Sequence, residues 1–316
     1  MSRVAAIDCG TNSIRLLIAD VVTPVGSAPK LTDVVREMRV VRLGQGVDAT
    51  GEFAQDALDR TLEATRDYAE LIRRHGAGQV RFVATSATRD ARNRQVFIDG
   101  VRELLGVEPE VISGDEEAAL SFAGASSVLP SRGKDPVLVV DLGGGSTEFV
   151  LGDQDGVIAA KSVDVGCVRM TERHLVDNPP TAEQIAAAEA DVDAAISRAA
   201  QTVPLDRATA LIGVAGSVTT ITAHALKLAE YSPAAIHGTE LDLATVREAC
   251  TSLLEMTRED RAALPFMHPG RVDVIGAGGL VWRRVLERMA AATDGRITSV
   301  LTSEHDILDG IALSIS

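Results

Sequence analysis

Short apolar runs closed by Gly-rich turns alternate along this chain with stretches in which apolar residues recur every three or four positions, and that alternation predicts an α/β protein. Residues 3 to 8 (Arg-Val-Ala-Ala-Ile-Asp) read as a short buried strand, Gly10-Thr11-Asn12 as a turn, and Ile14 to Val22 as a returning strand. The result is a β-hairpin with an acid at its mouth. A further strand is expected near Val34 to Val41. Leu58, Leu62, Ala69 and Ile72 then fall on one helical face, and Gly76 ends that helix. Strand Val80 to Ala84, a helix around Arg92 to Leu105, a strand at Val107 to Ile112 and a helix from near Gly114 to about Val128 complete the first half.

The polar, turn-rich stretch Pro130-Ser131-Arg132-Gly133-Lys134-Asp135-Pro136 marks a boundary, so residues 1–128 and 129–316 are expected as two domains. Beyond it the hairpin recurs, with Val137 to Val140 as a buried strand, a small-residue turn, and Thr147 to Gly152 as the return. Ala6-Ile7-Asp8-Cys9-Gly10-Thr11-Asn12-Ser13 overlays Val139-Val140-Asp141-Leu142-Gly143-Gly144-Gly145-Ser146 at a constant offset of 133 residues (141 less 8), with Asp, Gly and Ser coincident. Helices are predicted over Thr181 to Gln201, with a Thr181/Gln184 capping box, and over Ser217 to Ala229, Leu243 to Met256, Val272 to Ala291 and His305 to Ser314. Strands near Ala210 to Gly213 and Ile297 to Leu301 interrupt them. The last helix, about 304–316, is a candidate to pack back on the first domain.

A chain of 316 residues accommodates two substantial cores, and 46% hydrophobic with 24% charged residues excludes a disordered polymer. The formal charge of -14 argues against broad nucleic-acid or anionic-membrane binding, since both need a positive surface field. A polyanionic substrate therefore requires a local basic channel. No apolar run approaches the ~20 residues that span a bilayer, and Asp8 interrupts what would be a signal-peptide core, so a cytoplasmic protein is expected. Cys9, Cys167 and Cys250 show neither a CxxC pair nor metal-ligand spacing and are read as thiols.

Turns rich in Gly, Ser and Thr bring backbone N–H groups and hydroxyls close to phosphate oxygens. The Asp that opens each repeated loop stands at a strand end, where a carboxylate can hold Mg²⁺ directly or through water. One such loop reads equally as a tight hairpin; two, at the head of each half, suggest two jaws around one anion. Gly213-Val214-Ala215-Gly216-Ser217 is a third candidate, because helix N-termini attract anions, although Ser217 also reads as an N-cap. Gly276-Ala277-Gly278-Gly279 reads likewise, or as a close helix contact.

Together, Asp8-x-Gly10-x-Asn12-Ser13, Ser113-Gly114-x-Glu116-Glu117-Ala118, Asp141-x-Gly143-Gly144-Gly145-Ser146-Thr147-Glu148 and Gly213-x-Ala215-Gly216-Ser217 resemble the exopolyphosphatase / guanosine pentaphosphate phosphohydrolase (Ppx/GppA) family in its short two-domain form. The resemblance runs in order from near residue 3 to near residue 314. It implies two actin/hexokinase/Hsp70-like (ribonuclease H-like) α/β domains with a cleft between them. Ser113-x-x-Glu116 has the form of a capping box, which occupies Glu116 and leaves Glu117 unclaimed, though both acids also suit the helix dipole. The resemblance makes Glu117 the catalytic base that activates water. Strand alternation puts Glu148 on the face of Ser146, as a metal ligand or a second water-positioning acid. Among Arg89, Arg92 and Arg94, whose ordinary reading is a solvated basic face, the resemblance assigns phosphate contact first to Arg89.

The expected phosphate cradle is Gly10, Thr11, Asn12 and Ser13 with Gly143, Gly144, Gly145 and Ser146, joined by Gly216 and Ser217. The expected metal ligands, for Mg²⁺ or Mn²⁺, are Asp141, Asp8 and Glu148. The implied activity is hydrolysis of terminal phosphate from inorganic polyphosphate. Removal of the 5′-γ-phosphate of guanosine pentaphosphate and a weakly catalytic alarmone or polyphosphate sensor are the alternatives. The family also allows a homodimer. One departure stands out: longer members carry an arginine in a Leu-Arg-Glu-Gly sequence where this chain reads Ile307-Leu308-Asp309-Gly310. The expectation is one phosphate contact fewer.

Overall fold

The computed structural model describes residues 2–22, 29–125, 128 and 135–315. The chain divides into two compact units, Met1–Gly124 with Ile307–Ser316, and Ala125–Asp306. The expected boundary segment from Pro130 to Lys134 lies outside the described residues.

The first unit is built on strands β1 (Ser2–Cys9), β2 (Ser13–Val22), β3 (Lys30–Val40), β4 (Gln79–Ala84) and β5 (Glu110–Val111), ordered β3-β2-β1-β4-β5. β1 and β2 pair antiparallel, as do β2 and β3, while β4 runs parallel to β1 and β5 parallel to β4. β1 is buried from Val4 to Cys9 because helices cover both its faces, which is why it reads as a continuous apolar run rather than an alternation. Ala5, Ile7 and Cys9 join the cluster formed with Tyr68, Phe82 and Phe97. Val4 and Ala6 face the other way, into a cluster with Leu120, Leu308 and Ile311. Period-two alternation then puts Asp8 on that second face, the one covered by helix Gly114–Ala125 and helix Ile307–Ser314.

The second unit repeats the plan with β6 (Val137–Leu142), β7 (Thr147–Asp153), β8 (Gly156–Val163), β9 (Ala210–Val214), β10 (Glu240–Asp242) and β11 (Ser299–Thr302), ordered β10-β11-β9-β6-β7-β8. β6, β7 and β8 form an antiparallel meander, and β9 and β11 follow in parallel. Helix Ala182–Ala200 starts with the Thr181/Gln184 box closed in both directions. Helix Gln55–His75 ends on Gly76, whose φ of 65° is left-handed.

Several boundaries differ from expectation. The helix around Arg92 begins at Arg94, preceded by a separate short helix Ser86–Asp90. The strand over Val107 to Ile112 contracts to two residues, and the last helix begins at Ile307 rather than His305. β8 and β10 carry no clean alternation and were not anticipated.

Helix Ile307–Ser314 seats against helix Gly114–Ala125 through a missing side chain: a Cβ on Gly310 would lie 2.0 Å from the Leu120 carbonyl oxygen. Gly310→Ala must therefore push two helices apart. Its expected cost is about 3 kcal/mol of stability, read as a lowered urea midpoint at unchanged slope.

Candidate active site

Both hairpin turns are closed by the same bond. Gly10 N–H donates to Ser13 O at 3.0 Å, and Gly143 N–H donates to Ser146 O at 3.0 Å. The carbonyls of the turns are tied down: Thr11 O accepts from Gly44 N–H and Asn12 O from Val41 and Arg42, while Gly143 O accepts from Cys167 and Gly144 O from Val168 and Arg169. The amides of Thr11 and Asn12, and of their repeat counterparts Gly144 and Gly145, donate to no acceptor among the described residues. Each turn thus holds two backbone donors in a fixed geometry that suits an anion. The loop glycines do not have left-handed φ angles. Close approach is what demands small residues here: a Cβ on Gly143 would sit 3.1 Å from Ser146 O, and one on Gly166 would sit 2.5 Å from the carbonyl carbon of Gly144.

Around the first turn the structure gathers Asp8, Arg15, Thr85, Arg89 and Glu117. Asp8 is 4% exposed, and Arg15, its direct cross-strand partner, donates to it from Nη2 at 2.5 Å and Nε at 2.9 Å. Thr11 Oγ1 lies 3.0 Å from Ser86 Oγ, and Asn12 Oδ1 is buried with no partner among the described residues. Glu117 is 8% exposed and accepts from Arg89 Nη1 at 2.7 Å; the same nitrogen donates to Ile112 O at 3.1 Å. Burial pushes the Glu117 carboxyl up to about 7, against the charge and hydrogen bond of Arg89, which draw it down. The nearby Asp8 charge raises it further, and a hydrogen bond from Thr85 lowers it.

Glu116 does not close a capping box. Ser113 Oγ accepts from Glu116 N–H at 3.2 Å, but the Glu116 carboxylate turns to Arg81 at 2.7 Å. Arg92 also stands apart, bonding Thr50 O and Glu52, and Arg94 is an exposed first residue of its helix. Leu308 is 1% exposed within the apolar cluster of the first unit, and the neighbouring Asp309 pairs with Arg36 at 2.5 Å.

The second turn carries different chemistry on the same frame. Asp141 (6% exposed) and Glu148 (1%) are direct cross-strand partners, so two carboxylates share one face, and Glu148 Oε1 accepts from Ser162 Oγ at 2.7 Å. Glu148 is the counterpart of Arg15 at the repeat offset of 133. Ser146 is buried beside them. Arg169 Nε donates to Gly145 O at 2.7 Å, placing a cation against the turn.

Ser217 is not an N-cap: helix Ala215–Ala225 follows Val214, and Ser217 lies inside its first turn. Ala215 has a φ of 73°, a strained left-handed angle for a residue with a side chain. The Arg271 guanidinium covers Gly216, where a Cβ would lie 2.3 Å from Nη2, and Arg271 Nη1 donates to Thr220 Oγ1 at 2.9 Å. Gly278 packs on Ser217 and Gly279 on the Cys250 carbonyl, so part of the small-residue run serves helix packing.

Sequence reasoning missed Arg15, Arg169, Arg271 and Thr85. Arg15 was available from the overlay of the two halves; the other three lie outside any motif. No cluster of three or more His, Cys, Asp or Glu side chains suited to a metal forms among the described residues. The Asp141/Glu148 pair still fits Mg²⁺, which keeps several waters and takes one or two carboxylates together with phosphate oxygens. No helix among the described residues is long and apolar enough to cross a membrane.

Comparison with known proteins identifies the family. The model of the Ppx/GppA phosphatase family matches residues 20–315. The exopolyphosphatase 2 of Mycobacterium tuberculosis is 51% identical over 100% of this chain and 99% of its own length. A guanosine-5'-triphosphate,3'-diphosphate pyrophosphatase of Photobacterium profundum is 36% identical over 60% of this chain and 36% of its own. A crystal structure of an exopolyphosphatase-like protein superposes with a TM-score of 0.93 at 48% identity, covering 98% of each chain. Its two mixed sheets repeat one α/β plan, and the chain belongs to the Ppx/GppA phosphatase family.

Proposed function

We propose that this protein is an exopolyphosphatase that releases orthophosphate from the end of inorganic polyphosphate. The observation that carries the reading is Glu117, a buried carboxyl near neutral pKa, hydrogen-bonded to Arg89 in the unit whose turn offers spare amides. Glu117 takes a proton from water as the water oxygen bonds to the terminal phosphorus. The bridging P–O bond breaks, orthophosphate leaves, and the shortened chain departs as a phosphate anion. The amides of Thr11, Asn12, Gly144 and Gly145, with Asn12, Ser13, Ser146, Gly216 and Ser217, donate to or border the phosphate oxygens. Arg89 offsets their charge while holding Glu117 in place.

Asp141 and Glu148 are the residues that would hold Mg²⁺ or Mn²⁺, which when bound neutralises phosphate charge. Asp8 is engaged by Arg15, and its charge adds a smaller upward push on Glu117 to that of burial. Hydrolysis of guanosine pentaphosphate is the second reading, favoured by the Photobacterium relative, because the turns meet the same phosphoanhydride in either substrate. Orthophosphate release compared across short polyphosphate, long polyphosphate and the nucleotide separates the two.

Three outcomes follow from these assignments. Glu117→Gln is expected to lose roughly 10²- to 10⁴-fold in turnover while still binding polyphosphate; turnover like the parent's would refute the role. A base with a carboxyl pKa of about 7 is active when deprotonated, so kcat/KM should rise with pH through that value. Arg89 lowers this pKa and Asp8 raises it, so the acid limb of the residual activity should move to higher pH in Arg89→Met and to lower pH in Asp8→Asn. For the metal, Glu148→Gln should raise the half-saturating Mg²⁺ concentration of orthophosphate release, which a titration of rate against Mg²⁺ reads directly.

A further inference from the structure

The second unit contains a cavity of about 210 Å³ bordered by helices Cys167–Arg173, Arg258–Ala262 and Ile275–Ala292 and by the loop at Asn178. Its walls are mixed, apolar at Leu175, Val176, Leu254 and Ala277 and polar at Thr171 and Asn178. Arg261, only 5% exposed, lines it too. A guanidinium carries five N–H donors and stays charged when buried. Arg261 uses Nε on Thr257 O at 3.4 Å and Nη2 on Asn178 Oδ1, both neutral acceptors. Among the described residues no carboxylate pairs with it.

The acids at the cavity are committed elsewhere. Asp273 accepts from Arg258 Nε at 2.7 Å, and Asp177 Oδ2 accepts from Gln184 Nε2 at 2.9 Å. A buried charge is ordinarily paired; Arg261 makes no ion pair, and Asp273 offsets its charge only through space. Desolvation accordingly pulls the Arg261 pKa down.

We propose that this cavity binds a small organic carboxylate, with its two oxygens on the spare N–H groups of Arg261 and a short aliphatic group against Leu175, Leu254 and Ala277. The planar fork of arginine matches a carboxylate through two parallel bonds, and the apolar part of the wall gives a short aliphatic group a surface to cover. Orthophosphate shares the oxyanion chemistry but leaves the apolar walls uncovered.

Calorimetric titration of the full chain with isovalerate at constant ionic strength tests this, followed by displacement with orthophosphate. Saturable binding is expected, weakened at least about tenfold in Arg261→Gln. Val176 is 72% exposed at the rim, so Val176→Asp leaves the core intact. That variant should weaken binding similarly by placing a negative charge at the entrance, with an unchanged melting temperature. Tighter binding of orthophosphate, displacing isovalerate, would keep the oxyanion assignment and name the inorganic source. The absence of saturable binding by either anion, or affinity unmoved by Val176→Asp, overturns the proposal. None of these readouts depends on polyphosphate hydrolysis.

Discussion

A carboxyl group buried as deeply as Glu117 must be stabilised by a cation or keep its proton, and the first unit holds it between those two states. Arg89 supplies the cation at 2.7 Å, and burial together with the Asp8 charge opposes it. The fold makes the balance possible. Strand alternation turns Asp8 toward the face of β1 that helix Gly114–Ala125 covers, and Glu117 lies in the first turn of that helix. A base poised near neutrality is what water activation needs, since it must be free of its proton yet basic enough to accept one.

Repetition of the hairpin explains how one design supplies two kinds of chemistry. The closing bond from Gly10 to Ser13 recurs from Gly143 to Ser146, so each copy leaves the same two amides unspent. What differs is the residue opposite the Asp. In the first copy Arg15 faces Asp8 and makes an ion pair; in the second Glu148 faces Asp141 and brings two carboxyl groups together. Two acids side by side suit a hard divalent cation, whereas an ion pair does not. The backbone of the hairpin is retained while one cross-strand position sets whether the Asp meets a cation or a second acid.

Much of this was legible in the sequence. The two turns and their acids could be found because Asp, Gly and Ser coincide at a fixed offset, and buried strands such as β6 read as unbroken apolar runs. Glu117 was legible only through the resemblance, since Ser113-x-x-Glu116-Glu117 suits an ordinary helix start just as well. The pairing of Glu116 with Arg81 instead of its own N-terminus depends on tertiary neighbours that a four-residue motif does not contain. β8 was missed because it is an edge strand with Val157 and Ile158 exposed, so its pattern carries no buried stripe. Ser217 looked like an N-cap because a helix with Ala215 at positive φ is not foreseeable from residue preferences.

Position 308 shows how a local departure redistributes charge within the protein. The arginine expected there from the family resemblance would have to enter the cluster of Val4, Ala6 and Leu17 that Leu308 completes, and its charge would be stranded among apolar groups. The helix instead turns Asp309 toward Arg36, so its one charged side chain forms a structural pair rather than a phosphate contact. Under the proposed function, charge compensation within each unit falls to fixed guanidiniums: Arg169 on the Gly145 carbonyl and Arg271 across Gly216 in the second, and Arg89 in the first. Each is anchored by a backbone or hydroxyl acceptor. A chain with a net charge of -14 can therefore accept a polyanion by holding a few cations where the spare amides already are, without a basic surface elsewhere.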